Sequence, residues 1–215
     1  QQGRLSLDDT LDDLFPDVPD DKRAISVAHL LNGTSGLPNF HHTAADADAD
    51  LTWIDRLEAE RRILDLELLF EPGTSRAPSH SAFVLLAAAV ERRSGRTYAE
   101  FLREHVFDPA GMDRTGFYGD DGGLPVDAFA RGYGEERVGA HNIPPEWGPT
   151  SWLIMGSGGM WSTPSDMARY FDAMRSGRIL DGAALEGYLN RSAALGASDR
   201  GFLFVHAWSA GDTSI

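Results

Sequence analysis

Cysteine is absent from this 215-residue chain, and lysine occurs once, at Lys22. The first absence removes disulfides, thiolate metal sites and cysteine nucleophiles together, and leaves the compartment open. Basic residues are scarce, with 19 Lys and Arg against 33 Asp and Glu and a net charge of −14. With no basic patch, nucleic acid and anionic membranes are excluded as partners, because a phosphate surface needs clustered Lys and Arg. The longest apolar run lies around Phe83 to Val90, far short of the roughly 20 residues that a membrane span requires. Cofactor and metal signatures are missing too. His41 and His42, followed by Asp46, Asp48 and Asp50, carry ligand types suited to zinc or calcium. However, an EF-hand loop counted from Asp46 would need glycine at 51 and glutamate at 57, where the chain has Leu51 and Leu57, and there is no HExxH. No metal is expected. Gly156-Ser157-Gly158-Gly159 precedes no P-loop lysine and fits no GxGxxG, and Met155 rules out a GxSxG elbow. No cofactor is expected either.

What remains is globular in composition, with 42% hydrophobic and 24% charged residues and enough length for a substantial core. The chain centres on Phe70 to Gly95. Pro72-Gly73 reads as a turn, Pro78 keeps Ala77 out of helical geometry, and Ser79 or Ser81 caps a long apolar helix that Gly95 stops. Elsewhere Ser26 caps a short helix over Val27 to Asn32, ended by Gly33. Trp53 to Phe70 predicts helical turns broken near Asp65. Thr97 and Glu100 form a capping box for Tyr98 to Val106, and Asp108 to Met112 supplies turn residues. Thr115 to Pro149 reads as a long loop with at most short strands near Phe129 to Tyr133. Thr163-Pro164 starts a helix to Arg175, another spans Gly182 to Leu189, and Gly201 to Ser209 is the best strand, turning at Gly211-Asp212.

Four stretches carry a family resemblance. The run PGTSRAPSHSAFVLLAAAVERRSG resembles PGTxxxYSNxGYxLLGxIIExxSG of serine β-lactamase-like proteins, the class C β-lactamases, D-alanyl-D-alanine carboxypeptidases and related esterases. GRLSLDD at Gly3 to Asp9 is similar to GKLSLDD of that family, ISVAHLLNGTSGL at Ile25 to Leu37 to ITIRHLLTHTSGL, and GGMWSTPSDMAR at Gly158 to Arg169 to GGLYSTAxDLAR. The resemblance implies an α+β fold. Residues 1–215 would form one incomplete domain, with 1–200 mostly helical lobe and cleft loops and 201–215 the start of a C-terminal antiparallel sheet.

It also implies a serine hydrolase of esters, amides or β-lactams that works through an acyl-enzyme. The family's Ser-x-x-Lys would fall on the order of 20 residues before LSLDD, outside this chain; position 19 is Pro, so Lys22 completes no such motif. The Lys-Thr-Gly or His-x-Gly strand motif is also expected beyond the chain, and this segment alone is expected to be inactive. In the middle motif Pro78 stands where the family has tyrosine and His80 where it has asparagine. Pro78 has no ionisable group, whereas imidazole is the commonest general base, so His80 is the candidate for part of the proton relay. Asn39 and Phe40 fall where the family has substrate-contacting side chains, and Trp147 and Trp152 are candidates for the cleft rim. The expected partner is a small-molecule or peptide substrate, no partner protein is evident, and the family leans towards an extracytoplasmic location. The alternative is a non-catalytic relative that keeps the cleft to bind a peptide or small ligand.

Overall fold

The computed structural model describes residues 3–43, 52–134 and 138–186. In chain order it has α1 (Leu11–Leu14), α2 (Val27–Asn32), a 3-10 turn (Phe40–His42), α3 (Arg56–Leu64) and α4 (His80–Ser94). Then follow α5 (Tyr98–Leu102), a π-type turn (Arg103–Phe107), α6 (Asp108–Ala110), β1 (Gly116–Phe117), 3-10 turns at Val126–Ala128 and Pro144–Trp147, β2 (Met160–Trp161) and α7 (Pro164–Arg175). The expected helix near Gly182 is present over 182–186. The strand and hairpin expected over 201–215 lie outside the described residues, as do Asp46, Asp48 and Asp50.

Helix α4 organises the core. Ala82, Val84, Leu85, Ala88 and Ala89 pack with Leu11, Ile25, Leu30, Ile63 and Leu153 from α1, α2, α3 and the 150s loop. Small alanines on α4 allow the neighbouring helices to approach closely. Between α3 and α4 a buried carboxylate replaces an apolar contact: Glu60 receives Arg92 Nη2 at 2.6 Å, with Arg56 Nη1 3.6 Å away. A smaller core joins Phe107, Ala110, Met112 and Ala173, with Phe117 and Met160 against it.

Capping places the helices as their sequences predict. Ser26 Oγ accepts from His29 N and His29 Nδ1 accepts from Ser26 N, both at 3.2 Å, so a histidine completes this capping box. Thr97 and Glu100 form the second box. The helix beyond it runs further than expected, through Ala110, because the backbone widens into a π-type turn just before Pro109, which lacks an N–H and would crowd the preceding turn of a regular helix. Fully buried Asp166 ties α7 to the entry of β1: it accepts from Arg114 N at 2.7 Å and Thr115 Oγ1 at 2.8 Å, and pairs with Arg169 at 2.8 Å.

The described sheet is small. Among the described residues it consists of β1 and β2, antiparallel, pairing Gly116 with Trp161 and Phe117 with Met160. No strand forms at 129–133, where Phe129 instead packs edge to face on Trp161. The Trp161 indole N–H is shared between Phe117 O and Asp120 O, which closes the sheet onto its own loop.

The start of α4 is fastened to the 38–40 loop by two serines. Ser79 Oγ accepts from Ala82 N at 3.2 Å as the N-cap and donates to Pro38 O at 3.3 Å. Ser81 Oγ accepts from Phe40 N at 3.0 Å. Ser79→Ala removes the cap and the bond to Pro38 together, and should cost about 1–2 kcal/mol in urea unfolding; an unchanged midpoint would contradict this reading of the corner.

Candidate active site

A cavity of about 550 Å³ opens over the N-terminal end of α4. The 15-residue α4 contributes His80 at its first position, and the 3-10 turn after Pro38 contributes His41 and His42 beside Asn39. From the far side come Tyr118, which follows β1, and Trp147, which closes the turn at Pro144–Trp147. Ser157, Gly158 and Gly159 complete the floor ahead of β2. Gly156 makes that floor possible: its φ is +82°, and a Cβ there would collide with Phe83 O on α4. The small residues before β2 therefore serve close backbone packing.

The far wall is held by one asparagine. Asn142, at a left-handed φ of 48°, accepts from the Trp147 indole N–H at 3.0 Å and donates Nδ2 to Gly132 O at 3.0 Å. The Trp147 ring meets Tyr118 edge to face with centroids 4.9 Å apart. Burial raises the Tyr118 phenol above its ordinary pKa, so at neutral pH it remains a hydrogen-bond donor.

Histidine dominates the near wall. The His41 and His80 rings lie edge to face with centroids 6.5 Å apart. Desolvation, and then the neighbouring His41 and His42, lower the His80 pKa from its ordinary 6.5, which leaves it a neutral imidazole at neutral pH. Asn39 Nδ2 lies 3.5 Å from His42 Nδ1, and its Oδ1 is buried with no hydrogen-bond partner among the described residues. No group of His, Asp or Glu that could hold a metal occurs among the described residues.

The cavity brings together His80, Asn39 and Trp147 of the sequence candidates. It does not include the others. Phe40 is 1% exposed and belongs to the core, because the bond from its N–H to Ser81 pulls it under α4. Trp152 packs against the same core, where its backbone N–H donates to Ile54 O. Pro78 is exposed and outside the lining. Sequence reasoning missed Tyr118 and Asn142, and weighed His41 and His42 only as metal ligands. The signal for Asn142 was faint, since asparagine tolerates left-handed backbone, whereas nothing local marks Tyr118.

The polar corner at the start of a buried helix thus sets an imidazole and an amide opposite a loop wall in one cleft. The family model for Beta-lactamase matches residues 1–211. The chain belongs to the Beta-lactamase family. It is 30% identical over 203 residues to penicillin-binding protein 4* of Bacillus subtilis (strain 168), covering 86% of this chain and 43% of that protein. Among solved structures it is similar to D-amino acid amidase from Ochrobactrum anthropi SV3, complexed with D-phenylalanine, with 29% identity, a TM-score of 0.64, and 85% of this chain and 53% of that one covered. It is also similar to a penicillin-binding protein from Bacillus halodurans, with 27% identity, a TM-score of 0.67, and 86% and 55% covered. The chain thus spans 43% of the length of the first of these relatives and little more than half of the two solved structures.

His80 should titrate below 6.5 in a histidine-resolved NMR titration, and His41→Gln or His42→Gln should move its midpoint upward by removing a neighbouring positive charge. A His80 midpoint at or above 6.5 would contradict this reading of its surroundings.

Proposed function

We propose that the full-length protein is a serine hydrolase acting on an ester, amide or β-lactam through an acyl-enzyme. Its nucleophile lies on a Ser-x-x-Lys helix outside this chain, and His80 takes part in the proton relay. The observation that carries this reading is the position of His80: a neutral imidazole at the first turn of α4, in the cavity, beside a middle-motif position occupied by Pro78. Proline offers no proton acceptor, so a base near this corner has to come from elsewhere. The N-terminal end of α4 adds a partial positive charge that suits an oxyanion developing above it. Tyr118, held protonated by burial, supplies a donor on the far wall, and Trp147 offers an aromatic face for an apolar side chain. Asn39 Oδ1 is an acceptor for a substrate amide N–H.

The relatives named above are penicillin-binding proteins and a D-amino acid amidase, which supports amide and β-lactam substrates. The family resemblance supports an extracytoplasmic location. No described helix is long and apolar enough to cross a membrane. A second reading, a cleft that binds a peptide or small ligand without turnover, is favoured by Pro78 alone.

His80→Ala in the full-length protein should slow acylation by more than tenfold, measured by stopped-flow with a chromogenic ester. With the wild type, the rate should fall only as pH drops through a midpoint below 6.5, because the neutral imidazole is the active form and its pKa is lowered. Near wild-type acylation in the variant would remove His80 from the relay, and absence of any acyl adduct in the wild type would favour the binding reading.

A further inference from the structure

One side chain joins three separate stretches of the far wall. Asn142 Oδ1 accepts from the Trp147 indole N–H at 3.0 Å and from Val138 N at 3.3 Å, while its Nδ2 donates to Gly132 O at 3.0 Å. Its backbone carbonyl accepts from Gly132 N at 2.8 Å. Asn142, Trp147, Val138 and Gly132 all line the cavity. The position suits this residue on two counts. A left-handed φ of 48° favours Asn, Asp or Gly, and of these asparagine alone brings both an acceptor for the indole and a donor for the Gly132 carbonyl.

The Trp147 ring is held at two points, its N–H on Asn142 and its edge on the Tyr118 ring, with centroids 4.9 Å apart. Other bonds place the backbone beneath these rings. Gly119 N donates to Pro144 O at 3.1 Å and Tyr118 N to Gly159 O at 3.0 Å. Glu146 folds back across Gly139 onto the His141 imidazole and backbone N–H. A fixed backbone still leaves an indole a choice of rotamers, and the bond to Asn142 Oδ1 singles out one of them.

We propose that Asn142 is a positioning residue for specificity: by orienting Trp147 against Tyr118 it shapes the far wall for an aromatic side chain on the substrate. The proposal rests on the cleft being the substrate site, but not on turnover. Asn142 acts through Trp147. With the indole fixed, Trp147, Tyr118, Val138 and Ile154 present an apolar surface that is set before the substrate arrives. With the indole released, binding a ring must first order it, and affinity for aromatic groups falls while that for small ones does not.

The test is NMR on the full-length protein, with the Trp147 indole N–H assigned by its loss in Trp147→Phe, and with the neutral amides phenylacetamide and acetamide as ligands. Asn142→Gly keeps the left-handed backbone and removes the side-chain bonds. Exchange of the Trp147 indole proton should quicken by roughly tenfold or more, and the preference for phenylacetamide over acetamide should fall by roughly tenfold. Asn142→Asp keeps the acceptor for Trp147 and loses only the donor to Gly132, so it should stay within about threefold of wild type in both measurements. The Trp161 indole, bonded to Phe117 O and Asp120 O, is the internal control and should exchange at the same rate throughout. Unchanged Trp147 exchange or unchanged preference in Asn142→Gly, equal losses in the two variants, or a Trp161 indole that loosens along with Trp147 would overturn the proposal. So would a wild type that shows no preference for phenylacetamide. The readouts are exchange and binding, so the hydrolase reading is decided separately, by turnover of an ester.

Discussion

Two serine hydroxyls fix the relation between the start of α4 and the loop before the 3-10 turn, and the cleft depends on that relation. Ser79 caps the helix while holding Pro38, and Ser81 holds Phe40. Asn39 lies between those two anchored residues, and His41 and His42 follow directly. The hydrogen bonds are short-range, but their effect is to set one polar corner against a buried helix, so that His80 and Asn39 face the same cavity while Phe40 turns into the core. A site built on the first turn of a buried helix inherits that helix's rigidity.

The opposite wall is made differently. It is loop, and it is held by an asparagine at positive φ, a ring pair and glycine contacts with α4. The near wall is thus set by capping of a largely buried helix and the far wall by a few polar anchors on irregular backbone. Loops on a rigid scaffold are where specificity is commonly varied.

Much of the near wall was legible in the sequence. The turn at Pro72-Gly73, the cap at Ser79 and the stop at Gly95 are local signals, and α2, α5 and α7 start where Ser26, Thr97 and Thr163 mark them. What was not legible depends on contacts far apart in the chain. Phe40 reads equally well as cleft wall or core until its N–H is seen on Ser81, 41 residues away. Trp152 goes to the core because its backbone pairs with Ile54, and the two-residue strands β1 and β2 exist only by pairing with each other across the loop. Tyr118 and Asn142 gained their places from tertiary packing that no local pattern announces. The histidine pair at 41 and 42 was visible, but its meaning came only with His80 beside it.

The most direct measurement is a crystal structure of the full-length protein soaked with an aryl boronic acid, which forms a tetrahedral adduct with an activated serine. The account predicts boron bonded to the serine of a Ser-x-x-Lys motif above the N-terminal end of α4, with the aryl group against Trp147 and a boronate oxygen within hydrogen-bond reach of His80. An adduct seated away from this cavity, or a cavity left empty with no serine modified, would contradict it.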